Sequence, residues 1–305
     1  MSRKGWVLFV ALCVIWGIPY LLIRVAVREL SPPALVFFRT APAALVLLPF
    51  ALRGGDLRGL LAHWRWVLAY TLVELAVPWL LLSHAEERLT SSMAGLMIAA
   101  VPLIAAVLYR FAGAHDPVDR RRVVGLVIGF AGVAALVGID ISGSAPLAVV
   151  EVLAVALCYA TGPLIISRKL SGLPSLSVIT ASLVLTAVLY AGPAALNLPS
   201  TISAETVAAV AGLAVLCTSV AFIVFFALIR EVGPSRATVI TYVNPLVAVM
   251  LGVVLLGEPL TLGIAIGMPL ILAGSVLGTA PSLKKADATG VADGETSDGV
   301  GPPTP

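Results

Sequence analysis

Long apolar runs alternate with short polar connections along nearly the whole chain. A helix needs about 20 residues to cross about 30 Å of hydrocarbon at about 1.5 Å per residue. Ten runs reach or approach this length, near residues 5–27, 33–52, 65–85, 91–111, 121–139, 147–167, 175–196, 205–229, 236–256 and 262–280. The pattern therefore predicts an all-α integral membrane protein with ten transmembrane helices.

The composition agrees with this pattern and excludes a water-soluble protein. Of the 305 residues, 60% are hydrophobic and 11% are charged, and the mean hydropathy is +1.07. A soluble domain carries about 25% charged residues. The Lys and Arg residues lie between apolar blocks and form no patch for nucleic acid. The three cysteines lie inside apolar runs without metal-ligand spacing. We expect the lipid bilayer of the cell membrane as a partner, and neither a metal nor a cofactor.

The basic residues predict the orientation of the helices. If the amino terminus is inside, fifteen Lys and Arg residues fall on inner segments and three, Arg24, Arg28 and Arg88, on outer ones. Because cytoplasmic loops carry the excess of Lys and Arg, both termini are predicted to be cytoplasmic. Residues 281–305 are rich in Gly, Ala, Asp and Thr without periodicity, which predicts a disordered cytoplasmic tail.

The chain repeats itself once. Pro102 and Pro245 are 143 residues apart, and Gly125 and Gly132 recur 142 residues later as Gly267 and Gly274. The repeat predicts two similar halves, residues 5–139 and 147–280. Each half has five helices, and an odd number gives the second half the opposite orientation. Inverted repeats recur in secondary transporters, in which one half moves against the other to open the two sides in turn.

Two charged residues lie deep inside the apolar runs, Glu74 and Arg39. A charge in the membrane is costly unless it faces water or a partner, so both are candidate functional residues. Glu74 is either a group that binds a proton or a cation during transport, or a protonated carboxyl that only joins helices. Arg39 either anchors a substrate carboxylate or snorkels and packs. A pairing of the two side chains is a further alternative.

Other polar and aromatic residues inside the runs are candidates for lining a cavity, although each also suits simple packing. They are Trp16, Trp79, Tyr159, Tyr242 and Asn244. Prolines at related places in the two halves are candidate helix breaks, because proline removes one backbone hydrogen bond and frees a carbonyl. They are Pro19, Pro102, Pro163 and Pro245. Matched breaks in two halves are typical of transporter binding sites, but prolines also kink membrane helices without any function.

Several of these segments together resemble the EamA family of the drug/metabolite transporter superfamily over residues 5–280. They are Trp16-Gly17 followed by Arg24, Pro32-Pro33 with Phe38-Arg39-Thr40-Ala41, the helix around Pro102, and Leu256-Gly257-Glu258-Pro259-Leu260. The resemblance implies ten helices around a central cavity and the movement of small metabolites, often outward and without ATP. Glu258 recurs in the family, and we expect it to cap or brace its turn. The first half departs from the family at Ala114-His115-Asp116-Pro117.

The leading hypothesis is a secondary transporter that exports small metabolites such as amino acids or drugs by alternating access, with proton coupling through Glu74. Import of the same substrates is the alternative. A membrane-embedded enzyme or a lipid-handling protein would need clustered catalytic groups. The three histidines are scattered along the chain, so no enzymatic activity is expected. The sequence leaves the substrate, the coupling ion and the oligomeric state open.

Overall fold

The computed structural model of the chain describes residues 1–54, 56–111, 120–140, 146–233, 237 and 239–279. Every regular element in these ranges is a helix, so the prediction of an all-α protein is confirmed. The ten long helices are α1 Arg3–Ala26, α2 Pro32–Gly54, α3 Trp64–Ala85, α4 Ser91–Phe111, α5 Arg120–Asp140, α6 Pro146–Leu170, α7 Ser175–Leu196, α8 Ala204–Val232, α9 Ile240–Leu256 and α10 Leu262–Thr279. A short helix, Leu57–Ala62, precedes α3.

Helices α1 to α8 are each long and apolar enough to cross a membrane, whereas α9 and α10 are shorter apolar helices. The count of ten spans therefore stays a prediction, as do the cytoplasmic placement of the termini and the division into two repeats. The tail at 281–305 and the first polar break, including Ala114-His115-Asp116-Pro117, lie outside the described residues.

Large apolar side chains lie on the outside of the bundle as well as inside it. Leu45 is 71% exposed, Val188 69% and Val254 71%, and each belongs to a different helix. Exposure of such surface to water would be unfavourable, whereas lipid acyl chains cover it without cost. The bundle therefore has the apolar exterior that a bilayer requires.

Helices α5 and α10 form the most extensive helix pair in the described part of the chain. Their backbones meet at glycines of the repeat. A Cβ added at Gly274 would overlap the backbone of Gly129, and one at Gly125 would overlap the backbone of Gly278. Small residues of this kind let two membrane helices approach closely and gain van der Waals contact.

Several helices depart from regular α geometry. Helix α1 is interrupted at Ile18 and resumes at Pro19, and α4 is interrupted at Ala99 and Ala100, just before Pro102. In contrast to the prediction of a break, α6 and α9 continue through Pro163 and Pro245. The matched prolines thus break the first-half helices and not their counterparts.

Candidate functional site

Three of the long helices contain π-helical segments, which sequence reasoning missed. They are Thr71–Ala76 in α3, Ile166–Leu170 at the end of α6 and Gly212–Val220 in α8. Ahead of the first polar break the offset of the repeat is the 143 residues between Pro102 and Pro245, and it carries 71–76 onto 214–219, inside the π-helical segment of α8. A π-helical segment inside a long helix is often found at a functional site. Pro78 follows the segment of α3 by two residues and Pro163 precedes that of α6 by three, whereas no proline lies near the segment of α8.

Side-chain hydroxyls, from α8 itself and from α7, donate hydrogen bonds to backbone carbonyls of the two matched segments. In α8, the hydroxyl of Thr218 donates to the Leu213 carbonyl at 2.8 Å, and that of Ser219 donates to the Ala214 carbonyl at 3.0 Å. In α3, the Ala76 carbonyl accepts a hydrogen bond of 2.9 Å from the Tyr190 hydroxyl of α7. These carbonyls of the π-helical backbone therefore have hydrogen-bond donors, which buried backbone groups require.

Arg39 is the charged centre of the first candidate cluster. It lies in α2 and is 8% exposed. Its guanidinium carbon lies 3.6 Å from the ring centroid of Trp79 on α3, and its Nε donates to Thr218 Oγ1 at 3.1 Å. Tyr159 of α6 lies within electrostatic reach of Arg39. The cluster therefore joins residues 39 and 79 of the first half to residues 159 and 218 of the second.

Glu74 is the second charged group, and it lies in the π-helical segment of α3. Its carboxylate approaches α6 where glycine removes the side chain, because a Cβ at Gly162 would overlap Glu74 Oε2. That oxygen is buried and has no hydrogen-bond partner in the described part of the chain. The carboxyl is thus held between α3 and α6, beside Pro163, with part of its hydrogen-bonding capacity unused.

Arg39 and Glu74 do not pair with each other. The three ion pairs of the described residues include neither side chain, so no Asp or Glu oxygen of this part of the chain lies within 4.0 Å of Arg39. The Arg39 guanidinium instead contacts the ring face of Trp79 and the hydroxyl of Thr218. The positive charge of Arg39 is therefore not neutralised by a neighbouring carboxylate.

Trp16 and Asn244 contact neighbouring helices rather than the Arg39 cluster. Trp16 of α1 packs against Phe222 and Phe225 of α8, with ring centroids 6.2 and 4.9 Å away. The Asn244 amide nitrogen donates to the carbonyls of Cys13 at 3.1 Å and Ile240 at 3.0 Å when the amide is oriented by its partners. These contacts join α1 to α8 and α9.

Tyr242 is half-buried on α9, two residues before Asn244. Of the five aromatic and amide candidates, the structure therefore brings Trp79 and Tyr159 together with Arg39. It places the other three along α1 and α9.

One end of the bundle carries polar contacts between the two halves. We call it the Glu258 end. The Glu258 carboxylate accepts from the backbone N–H groups of Ser91 at 2.7 Å and Ser92 at 2.9 Å, and from the Ser92 hydroxyl at 2.5 Å. Glu258 therefore caps the first turn of α4, in the other half, where a negative charge also suits the helix dipole. The bracing role that we expected of Glu258 thus acts on the start of α4.

Two further contacts join the halves at the Glu258 end. Glu29 accepts a hydrogen bond of 2.8 Å from the Ser203 backbone N–H, which lowers the pKa of this carboxyl. His84 Nδ1 lies 2.7 Å from Glu151 Oε1. A cavity of about 330 Å³ lies beside this pair, lined by Pro32, Pro33, Leu80, Leu81, His84 and Glu151.

At the opposite end, Glu231 of α8 contacts two residues at the start of the chain. Glu231 accepts a hydrogen bond of 2.5 Å from the Ser2 hydroxyl and lies 3.7 Å from Lys4 Nζ. Among the described residues, no group of three His, Cys, Asp or Glu side chains is placed to hold a metal ion. The site is thus built from isolated charges and aromatic side chains.

Comparisons with known proteins agree on one family. Residues 3–138 and 146–279 each match the EamA-like transporter family. YedA of Escherichia coli K12, named an uncharacterized inner membrane transporter, is 33% identical over 266 residues, which cover 82% of each chain. The uncharacterized transporter YvbV of Bacillus subtilis is 24% identical over 92% of this chain and 93% of its own. One crystal structure, 21% identical, covers 92% of this chain and 98% of its own with a TM-score of 0.65, which shows a common fold.

Proposed function

This chain belongs to the EamA-like transporter family, and on that premise we propose that it is a secondary transporter of the cell membrane. It moves small metabolites such as amino acids or drugs by alternating access. In this proposal the chain spans the membrane ten times as two inverted five-helix repeats, residues 5–139 and 147–280, with both termini in the cytoplasm. The two separate family matches support the repeats, and the inner membrane named for YedA supports the location.

The observation that carries the proposal is the Arg39 cluster. Its buried guanidinium has an aromatic face and a hydroxyl as partners, and no carboxylate within 4.0 Å in the described chain. A buried cation without a counter-ion attracts an anion strongly, and Arg binds a carboxylate through two parallel hydrogen bonds. We infer that Arg39 binds a substrate carboxylate and that Trp79 and Tyr159 contact its apolar part.

In this proposal the hydrogen bonds between the two halves form when one side of the transporter closes and separate when it opens. In the proposed orientation the Glu258 end faces the outside, so the hydrogen bonds of Glu258, Glu29 and His84 hold the outer side closed. Opening of that side separates these pairs, and the Ser2 and Lys4 contacts with Glu231 then hold the inner side. The π-helical segments of α3 and α8 place Glu74 and Thr218 where the two halves meet.

Export is the direction that we propose, and import of the same substrate class is the alternative. The test is a metabolite profile of the culture medium from cells that overproduce the native protein, Arg39→Ala or Arg28→Ala at equal abundance in the membrane. Arg28 is an exposed arginine at the Glu258 end and serves as the matched control.

One compound should accumulate outside with the native protein and with Arg28→Ala, and accumulation should fall at least about tenfold with Arg39→Ala. This corresponds to the loss of about 1.4 kcal/mol of binding or more. Equal accumulation with Arg39→Ala would show that Arg39 does not bind the substrate. Depletion of a compound from the medium would identify an importer, and the absence of any change would contradict the proposal.

Glu74 supplies the proposed coupling to protons. Glu74→Gln keeps the shape of the side chain but does not ionise, so flux through this variant should lose its dependence on a pH gradient while insertion into the membrane is unchanged. Glu87→Gln, which alters an exposed acid just after the end of α3, is the control. A full response to the gradient in Glu74→Gln would exclude this role.

A further inference from the structure

Glu86 is a buried acid at the Glu258 end that the proposed mechanism does not use. It follows directly after α3 and is 0% exposed. Both carboxyl oxygens are buried, and neither has a hydrogen-bond partner among the residues that the structure describes. The Arg24 guanidinium lies close by, but it donates to the Glu86 backbone carbonyl rather than to the carboxyl. An ionised carboxylate without partners is strongly disfavoured in such surroundings.

The groups around Glu86 include charges of both signs. Those within its electrostatic reach are Arg24 and Tyr20 of α1, Arg39 of α2 and Glu258 in the loop after α9. Helix α4 presents Ser91 and Ser92, which engage Glu258. The acid of α6 at this end, Glu151, is paired with His84. On its own loop, Glu87 and Arg88 are exposed.

The hydrogen bonds of Glu258 affect Glu86. The Glu258 carboxylate accepts three hydrogen bonds, from the backbone N–H groups of Ser91 and Ser92 and from the Ser92 hydroxyl, which hold it in place. A fixed negative charge nearby disfavours a second one on Glu86. The arginine that could balance Glu86 is engaged with a backbone carbonyl instead. Both observations favour a neutral Glu86.

We propose that Glu86 is a proton-binding site at the Glu258 end of the bundle. Its carboxyl holds a proton while this end is closed. When the end opens, water reaches the carboxyl, the O–H bond breaks, the proton passes to water, and the carboxylate is left beside Arg24. The proposal rests on the proposed alternating access for the opening step, and it adds a second protonated site to Glu74. Burial raises the pKa of the Glu86 carboxyl well above its usual range, Arg24 and Arg39 lower it, and Glu258 raises it further.

The two acids lie at different levels of the bundle, Glu74 inside α3 and Glu86 just after its end. Twelve residues separate Glu74 from Glu86, which corresponds to about 18 Å along a helix at about 1.5 Å per residue. Glu74 contacts α6 at Gly162, whereas Glu86 lies with the residues that join the halves at the Glu258 end. A proton released from Glu86 therefore enters the medium on one defined side.

The direct test is infrared spectroscopy of the purified full-length protein, because a protonated carboxylic acid has a C=O stretching band that a carboxylate lacks. At about pH 7, where an ordinary Glu is ionised, the native protein should show this band. Glu86→Gln should lose part of it, both alone and in a Glu74→Gln background. Glu87→Gln should keep it. An unchanged band in Glu86→Gln would overturn the proposal.

Thermal unfolding over a range of pH keeps the test decisive. Because the folded-state pKa of Glu86 is raised, its contribution to stability is full below the unfolded-state pKa of about 4.3 and is lost as the pH rises through the folded-state value. The midpoint temperature of unfolding of the native protein should therefore fall with rising pH relative to that of Glu86→Gln. Parallel profiles would contradict the proposal, and a Glu86→Gln that fails to fold at every pH would assign Glu86 a structural role instead.

Neither measurement requires transport, so the two proposals fail separately. A native protein that shows the Glu86 band but moves no metabolite would contradict the proposed function and support the proposed protonation of Glu86. A transporter without the band would retain the function and lose the site.

Discussion

Gly162 leaves space for the Glu74 carboxylate. Any side chain at position 162 would overlap Glu74 Oε2, so the glycine and the acid are coupled. Glycine is disfavoured inside a helix relative to alanine by about 1 kcal/mol. The glycine at position 162 therefore allows α3 and α6 to approach closely.

We expect Gly162→Ala to lower the free energy of unfolding by about 1–3 kcal/mol, because the added methyl group displaces the Glu74 side chain. Glu74→Ala in the same chain should restore most of this loss, since the overlapping atoms are then absent and the two changes are not additive. The measurement is thermal or denaturant unfolding of the four proteins in detergent. Additive effects would show that Glu74 does not lie against Gly162.

The Arg39 cluster shows which residue properties the sequence reveals. An arginine, a glutamate and buried aromatic residues inside apolar runs are visible as exceptions to the pattern. Thr218 is not an exception, because threonine is common in membrane helices, where its hydroxyl bonds the helix's own backbone. Its contact with Arg39 depends on how α2 and α8 pack, so it could not be predicted.

At the scale of helices, α5 and α10 combine recurring glycines with close packing. The sequence shows the recurrence of Gly125 and Gly132 as Gly267 and Gly274. In the structure these glycines lie where the two backbones approach each other. The equivalent helices of the proposed repeats therefore pack against each other, through the residues that identify the repeat.

Gly274→Ala should destabilise the protein by about 1–3 kcal/mol, because its Cβ would overlap the backbone of Gly129, which cannot move as a flexible side chain does. Gly138→Ala is the matched control on α5. It has no atom within 4 Å of the added Cβ, so the higher helix propensity of alanine should leave stability unchanged or raise it by up to about 1 kcal/mol. Unfolding midpoints in detergent measure both effects, and equal midpoints would be inconsistent with the α5–α10 contact.

Helix irregularities divide into predictable and unpredictable ones. Proline removes a donor and clashes with the preceding turn, so the breaks before Pro19 and Pro102 have a local cause. The helices through Pro163 and Pro245 continue despite the same chemistry, because a membrane helix that is supported by its neighbours tolerates proline. The π-helical segment in α3 ends just before Pro78, whereas that in α8 has no proline near it. Tyr190 on α7 and the side chain of Thr218 supply part of their hydrogen bonding.

At the scale of the whole molecule, the proposed inverted repeats place equivalent loops on opposite sides of the membrane. Exposed serines offer matched reporters: Ser200 in the connection between α7 and α8, at the Glu258 end, and Ser171 in the connection between α6 and α7, at the other. The native cysteines, Cys13, Cys158 and Cys217, are free thiols that can be replaced beforehand.

In such a cysteine-free chain, Ser200→Cys should react in intact cells with a thiol reagent that does not cross membranes. Ser171→Cys should react only after the cells are opened. This follows from the excess of Lys and Arg on the connections of the Ser171 side. Labelling of both variants in intact cells would contradict the ten-span count, and a reversed result would contradict the orientation.

The sequence by itself determined the properties that depend on local composition and periodicity. They include the helical class, the positions of the apolar runs, the repeat, the family and the two deep charges, because burial of the peptide backbone in lipid permits few structures. The tertiary structure decided which side chains meet. It placed Arg39 against Trp79 and Thr218, directed Glu258 to α4, and left the Glu86 carboxyl oxygens buried without a hydrogen-bond partner in the described chain. These contacts join residues far apart in the chain. In the sequence, Glu86 is followed by Glu87 and Arg88, a pattern typical of an exposed loop. Its burial follows from how the helices pack, which no local pattern encodes.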